Sequence, residues 1–493
     1  MTNALVNLKK NCSLPLVWLV SLEASLDNKS KKGFFRLNHW RFSRKAKYLI
    51  AVAIVAVLLI SAFAFLPKQV AIIGNVAPQN GDNSTSTPTS TTTATPTPSP
   101  TSASEANGSN DQNFNQFLNS IYPNLKAPGL IEPGQPINNA TWMQVATYAW
   151  AYFQPGVGVD PNTGLPYAEA GGFTDFTDWD LGGYIQAVID AQELGLIDNN
   201  NASWDFSARM NDVLTFLEDR TLNPEGYPYQ FYDGTTGENY TAISSSETVD
   251  GTDTGRLLVA LNNLRNFDPS LNQTIVNFVL NGRSNYTALV PSIESMADQN
   301  SIYSYYVASG FASFWPQQLG SVPNSILTNI VNSPTVTPYG NASLPETQIT
   351  GDPLLMSVFE VNNNSSQLMA LSKQVYLASE AYYNATGDYA AFSEGNGPSG
   401  TYIYEWVVNG NATWVVPAGV NPIIYNKVAF SFLALYNTTY AINMVAYLEQ
   451  CLPAPTNGYS DGADNSRNAV YDIGSNTNSL ILDAALYAIE NNT

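Results

Sequence analysis

The chain is poor in the side chains that run most familiar chemistry. It has one histidine, His39, and two cysteines, Cys12 and Cys451, in 493 residues. Beyond residue 39 there is no imidazole for a catalytic triad, a zinc site or a proton shuttle working near neutral pH. Cys12 falls on the cytoplasmic side of the anchor expected below and Cys451 outside it, so they give no disulfide framework. Charge is also scarce, at 12% of residues, and strongly unbalanced, with a net charge of −20. The first 47 residues carry ten Lys and Arg against Glu23 and Asp27, which leaves ten basic and 38 acidic residues for everything after them. Nucleic acid is excluded as a partner for so acidic a region. No phosphate-cradling glycine loop, Cys/His metal cluster or nucleophile elbow occurs. Acid–base chemistry after residue 47 falls to carboxyl groups, helped by Tyr, Lys or Arg.

What is present divides the chain into four. Residues 1–47 form a basic tail. Tyr48 to Leu66 is a run of nineteen residues without a charge, about the length that crosses a bilayer, and Arg41, Arg44, Lys45 and Lys47 before it place the N-terminus in the cytoplasm. A cleaved signal peptide fits less well, because the leader is long and Pro67-Lys68 stands where small residues would be cut. The expectation is an uncleaved signal anchor over 48–66. Residues 67–111 hold a Ser/Thr/Pro stalk that cannot build a core. Residues 112–493 then form an extracellular domain dense in Asn-x-Ser/Thr sequons, among them Asn139, Asn201, Asn239, Asn272, Asn285, Asn341, Asn384, Asn411 and Asn437, which predicts glycosylation. Scarce charge, sequons and the stalk together suggest an archaeal cell-surface protein facing an acidic exterior, where protonation relieves carboxylate repulsion.

The outer domain reads as mainly helical. Apolar periodicity predicts helices near 141–153, 179–195, 207–220, 253–266, 271–281, 302–314, 351–360, 366–383, 427–450 and 477–490. The most informative stretch is Phe173 to Leu196. Leu181, Tyr184, Ile185, Val188, Ile189 and Leu194 recur at helical steps, Thr177 or Asp178 can cap the start, and Gly195 ends the helix. Asp180 then sits in the first turn beside Trp179, a carboxylate and an aromatic at a helix start, as in many glycan sites. Aromatic-acidic loops follow Gly164, Gly226, Gly387 and Gly458, and the spacing is that of stacked helical hairpins. Such hairpins give an open solenoid or a closed α/α toroid. A toroid would gather the acids at one end of a central pocket.

Several short blocks, in order, resemble the DUF3131 family, uncharacterised domains similar to α/α-toroid glycoside hydrolases. They are Thr177-Asp178-Trp179-Asp180-Leu181-Gly182-Gly183, Asp253-Thr254-Gly255-Arg256 with the apolar run to Leu261, and Gly351-Asp352-Pro353-Leu354-Leu355 with Glu360. Ala391-Phe392-Ser393-Glu394, Lys427-Val428-Ala429-Phe430 and Asn476-Thr477-Asn478 complete the set. The likeness spans Thr141 to Asn491, and departs from the family at Glu360, where the chain reads VFEV. It implies a mainly α, (α/α)6-toroid-like ectodomain with aromatic and acidic loops at one end.

Glycoside hydrolysis takes one carboxyl to protonate the leaving oxygen and a second carboxylate for water or the anomeric carbon. The candidates are Glu394 first and Asp180 second, with Asp253 and Glu360, and Asp461 and Asp464 behind them. Asp253 lies three residues before Arg256, so a local ion pair is its structural alternative. For sugar binding the candidates are Trp179, Tyr229, Tyr402 and Trp406 as stacking rings, with Arg256, Asp464, Asn476 and Asn478 as polar contacts. Lys427 opens an apolar helix, where a cation opposes the helix dipole, so an acidic partner is expected. No cofactor is called for. The one metal the residues leave open is calcium, on Asp461, Asp464 and Asn465. Two readings follow. One is a membrane-anchored glycoside hydrolase, inverting if catalytic, acting on polysaccharide or glycoconjugate. The other is a non-catalytic envelope protein that binds glycans or organises the cell surface. Two carboxyls facing one open pocket favour the first, and caps or salt bridges on every candidate favour the second.

Overall fold

The computed structural model describes residues 131–491 apart from 136, 171–172, 242–247, 341, 362–364, 399, 454 and 456. These residues belong to one compact unit, Ser102–Thr493. The basic tail, the apolar run over 48–66, the Ser/Thr/Pro stalk and the start of the outer domain lie outside them. Among the described residues no helix is long and apolar enough to cross a membrane.

Single short turns aside, twelve helices build the fold: α1 Asn139–Tyr152, α2 Asp178–Glu193, α3 Phe206–Asp219, α4 Gly251–Phe267, α5 Asn272–Asn281, α6 Ile302–Phe314, α7 Val322–Asn332, α8 Gly351–Met356, α9 Ser366–Thr386, α10 Asn426–Tyr436, α11 Thr439–Cys451 and α12 Ser475–Asn491. The even-numbered helices pack in a closed circuit, α2 on α4, α4 on α6, α6 on α8, α8 on α10, α10 on α12, and α12 back on α2. Each odd-numbered helix packs outside a member of this ring. Helices of the inner ring are apolar almost all round, as helices packed on every side must be. In α2 every residue from Leu181 to Ala191 is buried.

Close approach fixes parts of the ring. A Cβ on Gly310 of α6 would stand 2.2 Å from the Gly255 carbonyl oxygen, and one on Gly255 of α4 would stand 2.8 Å from the Val307 Cα. Side chains at these two positions would force α4 and α6 apart. The expected caps form at α2, where Thr177 and Asp180 make a capping box and Gly195 is left-handed at φ +69°. Asp178 is not the cap but pairs with Arg220 at 2.6 Å, both side chains fully buried. The single helix expected over 427–450 is two. Asn437 takes a left-handed backbone at φ 40°, which breaks α10, and Thr438 caps α11 by accepting from the Ala441 N–H.

Short strands, which periodicity over such lengths cannot reveal, join the helices. β1 (Asp175–Phe176) pairs with β2 (Tyr232–Asp233), and β3 (Thr335–Val336) with β4 (Leu344–Pro345). β5 (Thr347–Ile349), β8 (Trp406–Gly410) and β9 (Ala412–Val415) make one sheet. β6 (Glu394–Asn396) pairs antiparallel with β7 (Tyr402–Tyr404), with Glu394 opposite Tyr404 and Asn396 opposite Tyr402. β10 (Ile423–Tyr425), β11 (Gly462–Asp464) and β12 (Ala469–Val470) make the last sheet.

Candidate active site

All six inner helices begin at the same end of the ring, and each places a polar side chain there from its first turn: Asp180 of α2, Asp253 of α4, Tyr303 of α6, Asp352 of α8, Lys427 of α10 and Asn476 of α12. The partial positive charge of a helix N-terminus favours an anion nearby, so six converging N-termini are a place where carboxylates can collect. They surround a cavity of about 610 Å³, within the range of about 300–1,000 Å³ usual for small-molecule sites. Seven carboxyl side chains line it: Glu169, Asp175, Asp180, Asp250, Asp253, Glu394 and Asp461. Among the described lining residues Lys427 is the one cation.

The floor is a charged network. Lys427 Nζ lies 2.6 Å from Asp352 Oδ2, and Asn476 Nδ2 donates to the same oxygen at 2.6 Å. Ser393 Oγ donates to the other Asp352 oxygen. Arg256 Nη1 donates to Asn476 Oδ1 at 2.6 Å, Nη2 to Ser479 Oγ at 3.0 Å, and the guanidinium faces Glu360 Oε1 at 3.7 Å. The acidic partner expected for Lys427 is therefore Asp352, a residue the sequence offered only as part of a helix-start motif. Arg256 chooses Glu360 rather than Asp253, three residues before it, because its side chain is fully buried on the inner side of the ring.

Glu394 opens β6 at the cavity wall and is 5% exposed. Tyr303 O–H donates to its Oε2. Burial first, and the neighbouring Asp352 charge next, push its carboxyl up to about 7 against the pull of Lys427. It is a carboxylic acid able to hold a proton near neutral pH. Asp180 is half-buried. Its Oδ2 accepts from the Thr177 N–H at 3.0 Å and from Thr177 Oγ1 at 3.1 Å, and Oδ1 from Ser475 Oγ at 3.3 Å. Burial raises its pKa, while these donors and Arg256 hold it back. Asp461 accepts from Thr477 Oγ1 at 2.5 Å and from the Asn396 N–H at 3.1 Å, with burial raising it and Lys427 opposing. Asn396 also donates to Glu169, which burial pushes up to about 8. Asp253 has neither cation nor hydrogen-bond donor among the described residues. Burial and the charges of Asp250, Asp178, Asp180 and Glu394 raise its pKa well above the ordinary value.

Aromatic rings face this acid cluster. Tyr402 and Tyr404 are 48% and 51% exposed on one face of β7 and line the cavity. Trp179 lies under it, its ring 4.9 Å from the Arg256 guanidinium and against Tyr306 and Tyr303. The Trp179 Nε1–H is buried without an acceptor.

Of the residues selected from sequence, the cavity brings together Glu394, Asp180, Asp253, Asp461, Trp179, Tyr402 and Asn476. The others stand elsewhere. Glu360 sits on a π-helical turn, Ser357–Val361, behind the floor, bonded by Tyr306 O–H and facing Arg256. Arg256 itself braces the floor without lining the cavity. Tyr229 packs on Tyr232, Trp406 edges against Tyr303 at 5.9 Å, and Asn478 holds the backbone of Tyr459 and Gly474. Asp464 closes its own turn, accepting from the N–H groups of Ser466 and Asn468 and from the Asn421 and Asn468 amides. It points to that turn while Asp461 serves the cavity. Among the described residues no group of three or more His, Cys, Asp or Glu is placed to hold a metal.

Residues that the sequence reading left out include Tyr303, Tyr404, Asn396 and Asp175. Tyr303 and Asp175 stand in helix and strand starts whose only signal was a polar residue before an apolar run. Asn396 and Tyr404 follow from the β6–β7 hairpin that Glu394 begins.

A family model described as "Protein of unknown function (DUF3131)" matches residues 144–491. No curated protein matches the sequence. Among solved structures, a beta-1,2-glucanase from Parabacteroides distasonis is 12% identical with a TM-score of 0.52, over 72% of this chain and 57% of that one. The chain thus spans little more than half the length of that glucanase. An endo-beta-1,2-glucanase from Talaromyces funiculosus, solved with sophorose, is 10% identical with a TM-score of 0.53, over 71% of this chain and 85% of that one. Likeness at this identity establishes the toroid fold.

Proposed function

The chain belongs to the DUF3131 family, whose members carry no assigned activity, and from that premise we propose that it is a glycoside hydrolase acting on a polysaccharide or glycoconjugate. The observation that carries the proposal is Glu394. It is a buried carboxyl pushed up to about 7, fixed by a tyrosine hydroxyl, at the wall of an open cavity lined by further carboxyls and exposed aromatics. Such a group protonates a leaving oxygen. Tyr303 holds Glu394 Oε2, which leaves Oε1 to carry the proton. Asp180 is the base that activates water: burial raises its pKa, as a base needs, and its three donors and the Arg256 charge hold that rise back. The two come from different elements and line the same cavity, and a water activated by Asp180 in a single displacement would invert the anomeric centre. Tyr402 and Tyr404 stack sugar rings, and Trp179 offers its free N–H to a sugar oxygen.

The second reading, a glycan-binding envelope protein without turnover, draws on Asp180 serving as a helix cap and Glu360 standing in an ion pair. Glu394 and Asp253 have neither, which favours hydrolysis. Placement outside the cell, on an anchor over 48–66, completes the proposal. Eight described sequon asparagines are exposed, Asn139, Asn201, Asn272, Asn285, Asn384, Asn411, Asn437 and Asn491, as glycosylation requires.

The test is reducing-end release by the purified full chain from a panel of glucans that includes beta-1,2-glucan, with the anomer formed read by NMR. Glu394→Gln should lower kcat by about 10²–10⁴. Release unchanged by Glu394→Gln and Asp180→Asn would remove the hydrolase reading.

A further inference from the structure

The charge of the cavity bears on what enters it. The only lining cation, Lys427, is 1% exposed and already paired with Asp352. Arg256, beneath Trp179, is committed to Glu360, Asn476 and Ser479. Among the described residues, an anionic ligand therefore meets seven carboxyls and no free cation. On β1 and α4, neither Asp175 nor Asp253 has a side-chain donor or an ion-pair partner among the described residues. Asp175 Oδ1 is buried without a hydrogen-bond partner, and Asp175 is 6% exposed. Asp253 receives no donor among the described residues. Asp250 beside it is spent on the helix cap, accepting from the N–H groups of Thr252 and Asp253. α2 and α4 approach so closely that a Cβ on Gly182 would meet the Arg256 backbone at 3.0 Å, which holds the acid-bearing first turns of the two helices side by side.

An orphaned buried acceptor such as Asp175 Oδ1 is costly unless something donates to it, and the half-buried Asp253 is open to the same donor. A hexose hydroxyl can give one hydrogen bond and no charge. A protonated amine gives three donors and a unit positive charge. Resting on the glycoside hydrolase reading, we propose that the cavity selects a sugar carrying a free amino group, a de-N-acetylated hexosamine unit, whose ammonium sits against Asp175 and Asp253. Glycans bearing carboxylate, sulfate or phosphate are rejected by the same wall. The proposal explains why a site for polar sugars has no free Arg or Lys among its lining residues.

Glucosamine and glucose differ only at C2, so they report the amine without assuming a linkage. Affinities of the full chain for both at pH 6, by calorimetry or ligand-observed NMR, should favour glucosamine at least tenfold. In Asp253→Asn the ratio should fall to within about twofold, and Asp175→Asn should lower it as well, with thermal melting confirming that each variant folds. Equal affinities in the native chain overturn the inference, as does a ratio that neither variant lowers. If glucan oligosaccharides bind and are cleaved while glucosamine shows no preference, the amine inference falls and the hydrolase reading stands. If spermidine binds and no sugar does, the cavity is a plain cation site and both fall.

Discussion

Behind the cavity floor, three carboxyl groups are packed where water does not reach, and they should make the domain an acid-stable one. Asp190 of α2 is 1% exposed, Asp483 of α12 is 5% exposed and Glu360 is 6% exposed. Asp190 and Asp483 are hydrogen-bonded to each other through their side chains, and Asp483 also to Glu360. One oxygen of each lacks a donor, Asp190 Oδ2, Asp483 Oδ2 and Glu360 Oε1, so a shared proton must supply what no side chain does. The groups facing them are Arg256 opposite Glu360, Tyr306 donating to Glu360, Gln186 donating to Asp190 at 2.8 Å, and Glu193 nearby. Burial above all pushes Asp190 from 3.8 up to about 7, and Asp483 well above its ordinary value. A group raised on folding stabilises the native state fully below its unfolded pKa and loses that contribution as pH climbs through the folded one. The window here runs from about pH 4 to about pH 7. At 1.36 kcal/mol per unit, raising Asp190 alone corresponds to about 4 kcal/mol lost by pH 8, discounted for coupling within the trio. The assay is guanidinium unfolding at pH 4, 5, 6, 7 and 8, for the native chain and for Asp483→Asn. The asparagine keeps the shape and gives Asp190 a permanent N–H donor, so ionising Asp190 costs less although its burial remains. The native chain should weaken across the window, and the variant should lose at least half of that slope. Native stability that rises from pH 5 to 8, or an identical slope in Asp483→Asn, would refute the shared proton.

Three further outcomes follow from the same geometry. Tyr303→Phe removes the hydroxyl that favours ionised Glu394, so the Glu394 carboxyl rises above about 7. The alkaline limb of the kcat/KM profile should then move to higher pH, and an unmoved limb would exclude Glu394 as the titrating acid. Lys427→Met strands the Asp352 carboxylate, fully buried at 0% exposure. It should cost about 3–5 kcal/mol in denaturant unfolding, part of which returns in the double variant with Asp352→Asn. Gly310→Ala puts a Cβ 2.2 Å from the Gly255 carbonyl oxygen. It should destabilise by about 1–3 kcal/mol, read as a lower melting temperature, whereas the same change at the open Gly195 should act only through its left-handed backbone.

Much of the helical frame was legible because burial on one face leaves a period in the sequence. The helices over 179–195, 253–266 and 302–314 lie within a few residues of α2, α4 and α6. A cap at Thr177 or Asp178, which the structure gives to Thr177, and the stop at Gly195 were also legible, since both are local backbone needs met by local residues. The break at Asn437 was not, because apolar residues continue in register on either side of one left-handed turn. Chemistry followed the same division. Exclusion of histidine chemistry, a disulfide framework and Cys/His metal clusters, and the need for carboxyls, came from composition, which folding cannot change. That Lys427 wants an acid came from the helix dipole, yet its being Asp352, 75 residues away, depended on two inner helices meeting.

Tertiary structure alone decided which acids matter. From sequence, Glu394, Asp180, Asp253 and Glu360 were ranked only by the aromatic and helical starts beside them, Glu394 first and Asp180 second. Closure of the ring put the first three at the mouth of one cavity and turned Glu360 to the back of its floor. A carboxyl's role depends on which charges, donors and water surround it, and these arrive from helices far apart in the chain. Sequence sets the residues and their local periods. Only the closed packing of six helices sets the distances through which their charges act.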